Sequence, residues 1–136
     1  MRVMAIDYGD QRIGIAVSDA LCVLCGDAFT LQEWDMARAA QRIAGEVRAR
    51  GVGTLVLGLP KNMDGSEGPR AERTREFAAL LQAETGLTPV LWDERRSSIE
   101  AHAILHANGK KMKDNRKRVD AVAATLMLEW YLGSMK

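Results

Sequence analysis

The feature that most constrains the fold is a change in the spacing of apolar residues near residue 33. Before it, apolar and β-branched runs at 3–6 and 12–19 are separated by a short, turn-rich segment, which predicts an antiparallel hairpin. A third strand is predicted near 27–31. After it, segments with apolar residues at helical spacing alternate with continuous apolar runs at 54–57 and 89–92. Such runs are typical of buried parallel strands that are joined by helical crossovers.

This order of elements predicts an α/β fold with one five-stranded mixed sheet and helices on its faces. We expect the spatial order 3-2-1-4-5, with strand 2 antiparallel and strand 1 in the centre. Asp35 is expected to cap the first helix, and Gly51 and Gly86 to end the first and second helices. Residues 97–100 have the pattern of a capping box that opens a third helix. A basic loop is expected at 108–118, before a final helix.

The length of 136 residues predicts a single domain that spans 1–136. Hydrophobic residues make up 47% and charged residues 27%, which are ordinary values for a globular protein. No apolar run approaches the roughly 18 residues of a membrane helix. The first apolar run is too short for a secretory signal, so we expect a cytoplasmic protein without a membrane partner.

Three acidic sites fall where the core is predicted to begin. Asp7 ends the first strand, Asp93 and Glu94 end the last strand, and Asp120 lies in the first turns of the final helix. The carboxyl ends of parallel strands share one edge of a sheet, which is where open α/β sheets bind ligands. Converging carboxylates repel one another unless a cation lies between them, and hard oxygen donors without nearby His or Cys favour Mg²⁺ or Mn²⁺. We therefore expect a metal site at this edge, although a single such acid is more often a turn former or a cap.

Residues 58–69 form the densest segment of small and polar residues, directly after a predicted buried strand. Glycines let backbone N–H groups approach an anion, and Lys61, Asn62 and Ser66 add side-chain donors. The sequence leaves two interpretations open, namely a phosphate-binding loop and an ordinary surface loop with an Asp-Gly turn.

The formal charge of +1 conceals an uneven distribution. Residues 95–118 carry eight basic and two acidic residues, which is a local charge of +6 against −5 for the rest of the chain. Arg95 and Arg96 directly follow the strand-end acids, where they either steady a phosphate or neutralise those acids. A basic run that leads into Asp120 predicts electrostatic guidance of a polyanion, although many such runs are only solvated loops. This run comprises Lys110, Lys111, Lys113, Arg116, Lys117 and Arg118.

The aromatic residues give little indication of a binding surface. The three tryptophans fall at spacings that predict core positions, and aromatic residues make up only 5% of the chain. We therefore expect no aromatic platform for nucleobases.

Four motifs, which occur in order along the whole chain, resemble those of the YqgF/RuvX family. They are Asp7-Tyr8-Gly9 with Arg12-Ile13-Gly14, Gly58-Leu59-Pro60 with Asn62-Met63-Asp64-Gly65, Asp93-Glu94-Arg95 with Ser97-Ser98, and Val119-Asp120-Ala121 with Ala123-Ala124. This bacterial family is described as Holliday-junction resolvases and as nucleases that process pre-16S rRNA. The resemblance implies an RNase H-like fold, a nuclease that depends on Mg²⁺ or Mn²⁺, and the catalytic carboxylates Asp7, Glu94 and Asp120.

The chain departs from the family pattern at a few positions. Gln11 stands where Lys is usual, and Lys61 and Arg96 stand where Leu is usual. The final helix carries one acid in its catalytic turn, where the RuvC resolvases resemble a version with two. Asp93 is therefore an alternative to Glu94 as a metal ligand, and the sequence leaves the choice between them open.

We expect hydrolysis of phosphodiester bonds in structured nucleic acid, in 5′-end processing of pre-16S rRNA or in resolution of Holliday-junction DNA. Arg12, Arg95 and the basic run are expected to hold flanking phosphates. Two alternatives stay open. Actin-like proteins also begin with an Asp-x-Gly hairpin that cradles ATP phosphates, although they need two such domains. A non-catalytic nucleic-acid-binding module would use the basic residues alone.

The substrate bears on the oligomeric state. A four-way junction asks for two active sites that are related by a two-fold axis, and so predicts a homodimer. Processing of an rRNA precursor is compatible with a monomer. Trp130, Tyr131 and Met135 are the candidate residues of a dimer face.

Overall fold

A computed structural model of the chain describes residues 1–9, 11–22, 25–62, 64–93 and 112–134, with the side chains of 112–121 outside the description. The capping-box prediction for 97–100 therefore lies outside the described residues. The elements in chain order are β1 (Arg2–Asp7), β2 (Arg12–Ser18), β3 (Cys25–Gln32), α1 (Met36–Arg50), β4 (Val52–Leu59), α2 (Pro69–Thr85), β5 (Val90–Asp93) and α3 (Met112–Ser134).

The strands form one five-stranded sheet in the order β3-β2-β1-β4-β5. β2 is antiparallel to both β1 and β3, whereas β1, β4 and β5 run parallel to one another. The predicted α/β class, the strand order and the central position of β1 are confirmed. The crossovers through α1 and α2 join strands that run in the same direction, β3 to β4 and β4 to β5.

The core has two layers, one on each face of the sheet. On one face, which we call the α1–α2 face, Met4 and Ile6 of β1 pack with buried residues of α1 and α2. On the other face, the α3 face, Val3 and Ala5 pack with Met127 and other residues of α3. Successive strand residues point to opposite faces, so the alternation along β1 decides which face each residue occupies.

The ends of α1 and α2 follow the predicted capping residues. The Asp35 carboxylate accepts a hydrogen bond from the backbone N–H of Arg38 at 3.0 Å, which satisfies a donor of the first turn of α1. Gly51 and Gly86 end α1 and α2 in the left-handed conformation, with φ of 66° and 75°. All three predictions are confirmed.

The ladder between β2 and β3 shifts register at Val17 and Ser18. At this point the backbone N–H of Val3 donates to the Ser18 hydroxyl at 2.9 Å, and Ser18 is only 2% exposed. A side chain thus satisfies a buried backbone donor beside the shifted ladder.

Two predictions about burial are wrong. β5 is not a buried strand, because Val90 is 38% exposed and Leu91 and Trp92 are only partly covered. Within the described ranges β5 pairs only with β4 and is an edge of the sheet. Trp34 is not a core residue, because it is 66% exposed in the segment between β3 and α1.

The predicted basic loop at 108–118 is also wrong in part, because α3 already begins at Met112. Residues 112–118 contain no Gly or Pro, and Met, Lys and Arg are good helix formers. Lys113, Arg116, Lys117 and Arg118 therefore belong to the helix, while Lys110 and Lys111 lie outside the described residues. α3 has 23 residues, but no helix in the described ranges is both long and apolar enough to cross a membrane.

Candidate active site

The carboxyl edge of the sheet brings together several of the predicted site residues. β1 ends at Asp7, β4 ends at Leu59, and β5 ends at Asp93, all at the same edge because the three strands are parallel. Arg12 begins the antiparallel strand β2 and so lies at this edge as well. We call this side of the molecule the active-site edge.

Asp7 and Arg12 lie on the same face of the sheet. Asp7 follows Ala5 by two residues and is half-buried on the α3 face. Arg12 precedes Gly14 by two residues, and Gly14 is the direct partner of Asp7. Strand geometry makes Asp7 and Arg12 diagonal neighbours with Cα atoms roughly 7–8 Å apart. A phosphate held by this guanidinium would therefore lie beside the carboxylate.

The turn between Asp7 and Arg12 depends on a close backbone approach at Gly9. A Cβ atom at Gly9 would lie 2.5 Å from the carbonyl oxygen of Arg12. Only glycine permits this close approach. The sequence identified Gly9 as part of a motif but gave no physical reason for it. The turn is also tied to β3, because Glu33 N–H donates to the carbonyl of Gln11 at 2.9 Å.

Asp93 lies on the opposite face from Asp7. Leu91 packs against the α1–α2 core and Trp92 against the α3 core, so alternation puts Asp93 on the α1–α2 face. Asp93 also pairs with Leu59 in register, and it is exposed at the end of the strand. The side chains of Asp7 and Asp93 therefore lie on different faces of the sheet.

The loop at residues 60–68 is closed by its own side chains. Asn62 donates through its amide to the Ser66 hydroxyl at 3.0 Å, and that hydroxyl donates to the Asp64 carboxylate at 2.6 Å. The backbone N–H of Ser66 also donates to Asp64 at 2.9 Å, and Gly65 takes a φ of 89° at the turn. Asn62 and Ser66, which were predicted as phosphate donors, thus shape the loop, while Lys61 beside them is half-buried.

An ion pair fastens this loop to α2. The Arg75 guanidinium donates to both carboxylate oxygens of Glu67 at 2.8 Å each. Hydrogen bonding from Arg75, together with the charges of Arg75 and Lys61, lowers the pKa of Glu67. The paired geometry fixes the loop at the active-site edge, although both side chains are exposed to solvent.

α3 lies across the face of the sheet that carries Asp7. Ala124 and Leu128 are fully buried in the same cluster as Ala5 and Ala16. Asp120 belongs to the described backbone of α3, one helical turn before Ala124. The remaining predicted site residues, Glu94, Arg95 and Arg96, lie outside the described residues.

The donor chemistry fits a hard divalent cation, but only part of the predicted ligand set is described. Within the described ranges no three His, Cys, Asp or Glu residues cluster closely enough to hold a metal ion. Asp7 supplies carboxylate oxygens, the donor type that Mg²⁺ and Mn²⁺ prefer. The residues that the sequence predicts beside it, Glu94 and Asp120, would add oxygens of the same kind.

Comparison with known proteins identifies the family. Residues 1–134 match the RuvX family, which is described as Holliday junction resolvase. The chain belongs to the RuvX family. The resemblance seen in its motifs is confirmed, and membership covers almost the whole chain.

Curated RuvX relatives cover the chain to a similar extent. The protein named "Putative pre-16S rRNA nuclease" in Halothermothrix orenii is 39% identical over 132 residues, which are 97% of this chain and 94% of that protein. A protein of the same name from Geobacillus kaustophilus is 40% identical over 139 residues and covers 100% of both chains. The family and these names indicate a hydrolytic nuclease.

Solved structures confirm the RNase H-like fold predicted for this RuvX chain. RuvC of Thermus thermophilus, solved in complex with a Holliday junction substrate, has a TM-score of 0.64 at 12% identity and covers 98% of this chain and 97% of that chain. The Fowlpox virus resolvase, solved with Holliday junction DNA, has a TM-score of 0.63 at 10% identity, with 99% of each chain covered.

Proposed function

We propose that this protein is a metal-dependent nuclease that hydrolyses phosphodiester bonds of structured nucleic acid. The observation that carries the proposal is the half-buried Asp7 at the carboxyl end of the central strand, in a chain that matches a resolvase family over residues 1–134. A carboxylate at this edge supplies the oxygen donors that a divalent cation prefers. Precursor 16S rRNA is our first substrate because the curated relatives are named for it, and junction DNA is our second.

We assign metal binding to the carboxylates of Asp7, Glu94 and Asp120. Asp7 lies on the face covered by α3, and Asp120 precedes the buried Ala124 of that helix by one turn. Asp93 lies on the opposite face, which favours Glu94 over its neighbour as the third ligand. The expected ion is Mg²⁺ or Mn²⁺, because all three donors are carboxylates.

Each group of residues has a separate role at the phosphate. When bound, the divalent ions supply positive charge to the scissile phosphate and lower the pKa of a water nucleophile. Arg12 holds a phosphate beside Asp7, because its planar guanidinium can donate two parallel hydrogen bonds to two phosphate oxygens. The basic residues from Arg95 to Arg118 attract the flanking backbone, so binding should weaken as salt is raised.

A cleavage assay on three substrates tests the nuclease assignment. Four-way junction DNA, single-stranded DNA and precursor 16S rRNA are incubated side by side with Mg²⁺, Mn²⁺ or a chelator. We expect cleavage only with a divalent ion, and we expect Asp7→Asn to abolish it while folding and most binding remain. Asp27→Asn makes the same change at the opposite edge of the sheet, beside Val17, and should leave cleavage intact.

The same assay has results that contradict the proposal. Full activity of a well-purified Asp7→Asn sample would refute the metal site. Micromolar binding of ATP without cleavage of any substrate would instead favour the actin-like alternative.

A second pair of variants distinguishes the two strand-end acids. Glu94→Gln should abolish cleavage, whereas Asp93→Asn should retain most of it, because Asp93 lies on the face away from Asp7. The reverse result would assign the ligand to Asp93.

The oligomeric state follows from the substrate. Junction resolution requires a homodimer with two sites, so a solution mass equal to one chain would favour the rRNA precursor. Of the candidate dimer residues, Tyr131 packs edge-on against Trp92 of the same chain, with ring centroids 5.9 Å apart. Location in the cytoplasm, where such nucleic acids lie, stays a prediction.

A further inference from the structure

Trp34 lies at the active-site edge with most of its surface exposed. It follows β3 by two residues, and Gln32 at the end of β3 pairs directly with Arg12. The residue is 66% exposed, although its indole is the largest apolar side chain that a protein can bury. Strand spacings and rises put Trp34 on the order of 15 Å from Asp7, a distance that a short stretch of nucleic acid spans.

Hydrogen bonds hold the backbone on both sides of Trp34. Glu33 donates its N–H to Gln11, and Asp35 caps α1. The guanidinium of Arg42 donates to the carbonyl of Gln32 at 2.8 Å. A side chain presented from a fixed backbone loses little entropy when a ligand stacks on it.

Two arginines of α1 offset the acids Glu33 and Asp35, which flank Trp34 in the sequence. Arg38 and Arg42 approach the Glu33 carboxylate at 3.7 and 3.5 Å. Their side chains are 68% and 45% exposed, whereas that of Glu33 is only 10% exposed. The two guanidinium groups therefore cover the Glu33 carboxylate and stay accessible to solvent, on the helix that follows Trp34.

We propose that Trp34 stacks on an unpaired nucleobase of the strand bound at the active-site edge, while Arg38 and Arg42 contact neighbouring phosphates. The proposal rests on the nucleic-acid function proposed above and narrows its substrate. Stacking on an aromatic ring requires a base with a free face and tolerates any sequence. The preferred substrates are then those with a single-stranded flank beside the cleaved bond, rather than fully paired duplexes.

The chain offers a matched control at the other edge of the sheet. Leu21 is 82% exposed and follows the carboxyl end of β2, away from Asp7. Removing this side chain changes exposed apolar area without touching the active-site edge. An effect limited to Trp34 therefore reports on position rather than on hydrophobic surface in general.

Binding is measured in full-length Asp7→Asn protein with Mg²⁺, so that no substrate is consumed. Fluorescence anisotropy compares a labelled single strand with a duplex of the same sequence. Trp34→Ala should weaken binding of the single strand by about 5- to 150-fold, which is the range for loss of one stacked base. Trp34→Phe should restore most of the affinity, and Leu21→Ala should have no effect.

A set of strands with one abasic site at each position locates the stacked base. At the contacted position, removal of the base should weaken binding by the protein that retains Trp34. It should not further weaken binding by the Trp34→Ala variant. Equal loss for single strand and duplex, or no loss, would overturn the stacking proposal.

Cleavage by wild-type protein, measured in parallel, separates the two proposals. If wild-type protein cleaves and Trp34→Ala binds normally, only the stacking proposal fails. If wild-type protein neither binds nor cleaves nucleic acid, both fail.

Discussion

The ring of Tyr8 is stacked on the ring of Phe77, with centroids 4.2 Å apart and planes inclined by 21°. Tyr8 is the residue after Asp7, and Phe77 is fully buried on the inner face of α2. The contact joins the end of the central strand to the helix that follows the 60–68 loop. The backbone at Asp7 is therefore held by packing on the face opposite its own side chain.

A double-mutant cycle on Tyr8 and Phe77 tests this support. Phe77→Ala should lower the free energy of unfolding by about 3–5 kcal/mol, as expected for a buried aromatic residue. Tyr8→Leu and Phe77→Leu combined should show a coupling of about 0.5–1.5 kcal/mol, the range for an aromatic pair. Urea unfolding gives these values, and strict additivity of the two leucine variants would show that the stacking contributes nothing.

Gly9→Ala should damage the site more than the fold. The new Cβ would meet the Arg12 carbonyl at 2.5 Å, so the turn between Asp7 and Arg12 has to open. We expect loss of cleavage together with destabilisation of about 1–3 kcal/mol, the range for local backbone strain. Gly45→Ala is the matched control, because no atom lies within 4 Å of its added Cβ inside α1. It should stabilise the protein by up to about 1 kcal/mol and leave cleavage unchanged.

Ser18→Ala should destabilise the sheet at the edge opposite the active-site edge. The substitution leaves the buried N–H of Val3 without its acceptor, and such a loss costs about 1–3 kcal/mol. Thermal unfolding measures the effect. Ser134→Ala serves as the comparison, since its hydroxyl donates to the Tyr131 carbonyl at an exposed position. If both variants unfold at the same temperature, a water molecule satisfies Val3 instead.

The Glu67–Arg75 pair predicts a pH-dependent contribution to stability. Because Arg75 lowers the pKa of Glu67, the pair stabilises the folded state above the unfolded pKa of about 4.3. The contribution is lost as pH falls through the lower, folded pKa. We expect the difference in unfolding free energy between wild type and Glu67→Gln to shrink on acidification. It should also shrink in high salt, because both groups are exposed to solvent. A difference that is independent of pH would contradict the assignment.

The ends of α1 and α2 and the order of the strands were predicted correctly, because the residues that determine them act through the local backbone. Asp35, Gly51 and Gly86 end helices for reasons of hydrogen bonding and φ that need no tertiary information. The strand order followed from the antiparallel hairpin and from the helical crossovers to the later strands.

Burial and side-chain partners could not be obtained in the same way. The spacing of Trp34 predicted a core position, but whether the side chain is covered depends on which element lies over it. The bonds of Asn62 with Ser66 depend on the three-dimensional path of the loop. The face of Asp93 follows from alternation only once the packing of Leu91 and Trp92 is known.

The central position of β1 has a kinetic consequence for Asp7. β1 is hydrogen-bonded to a strand on each side and packed on both faces. Its amide protons should therefore exchange with solvent only through global unfolding, as in the most protected unit of a protein. The edge strands β3 and β5 should exchange earlier. Movements that admit a substrate or release a product then occur around a carboxylate that stays fixed to the slowest-exchanging part of the chain.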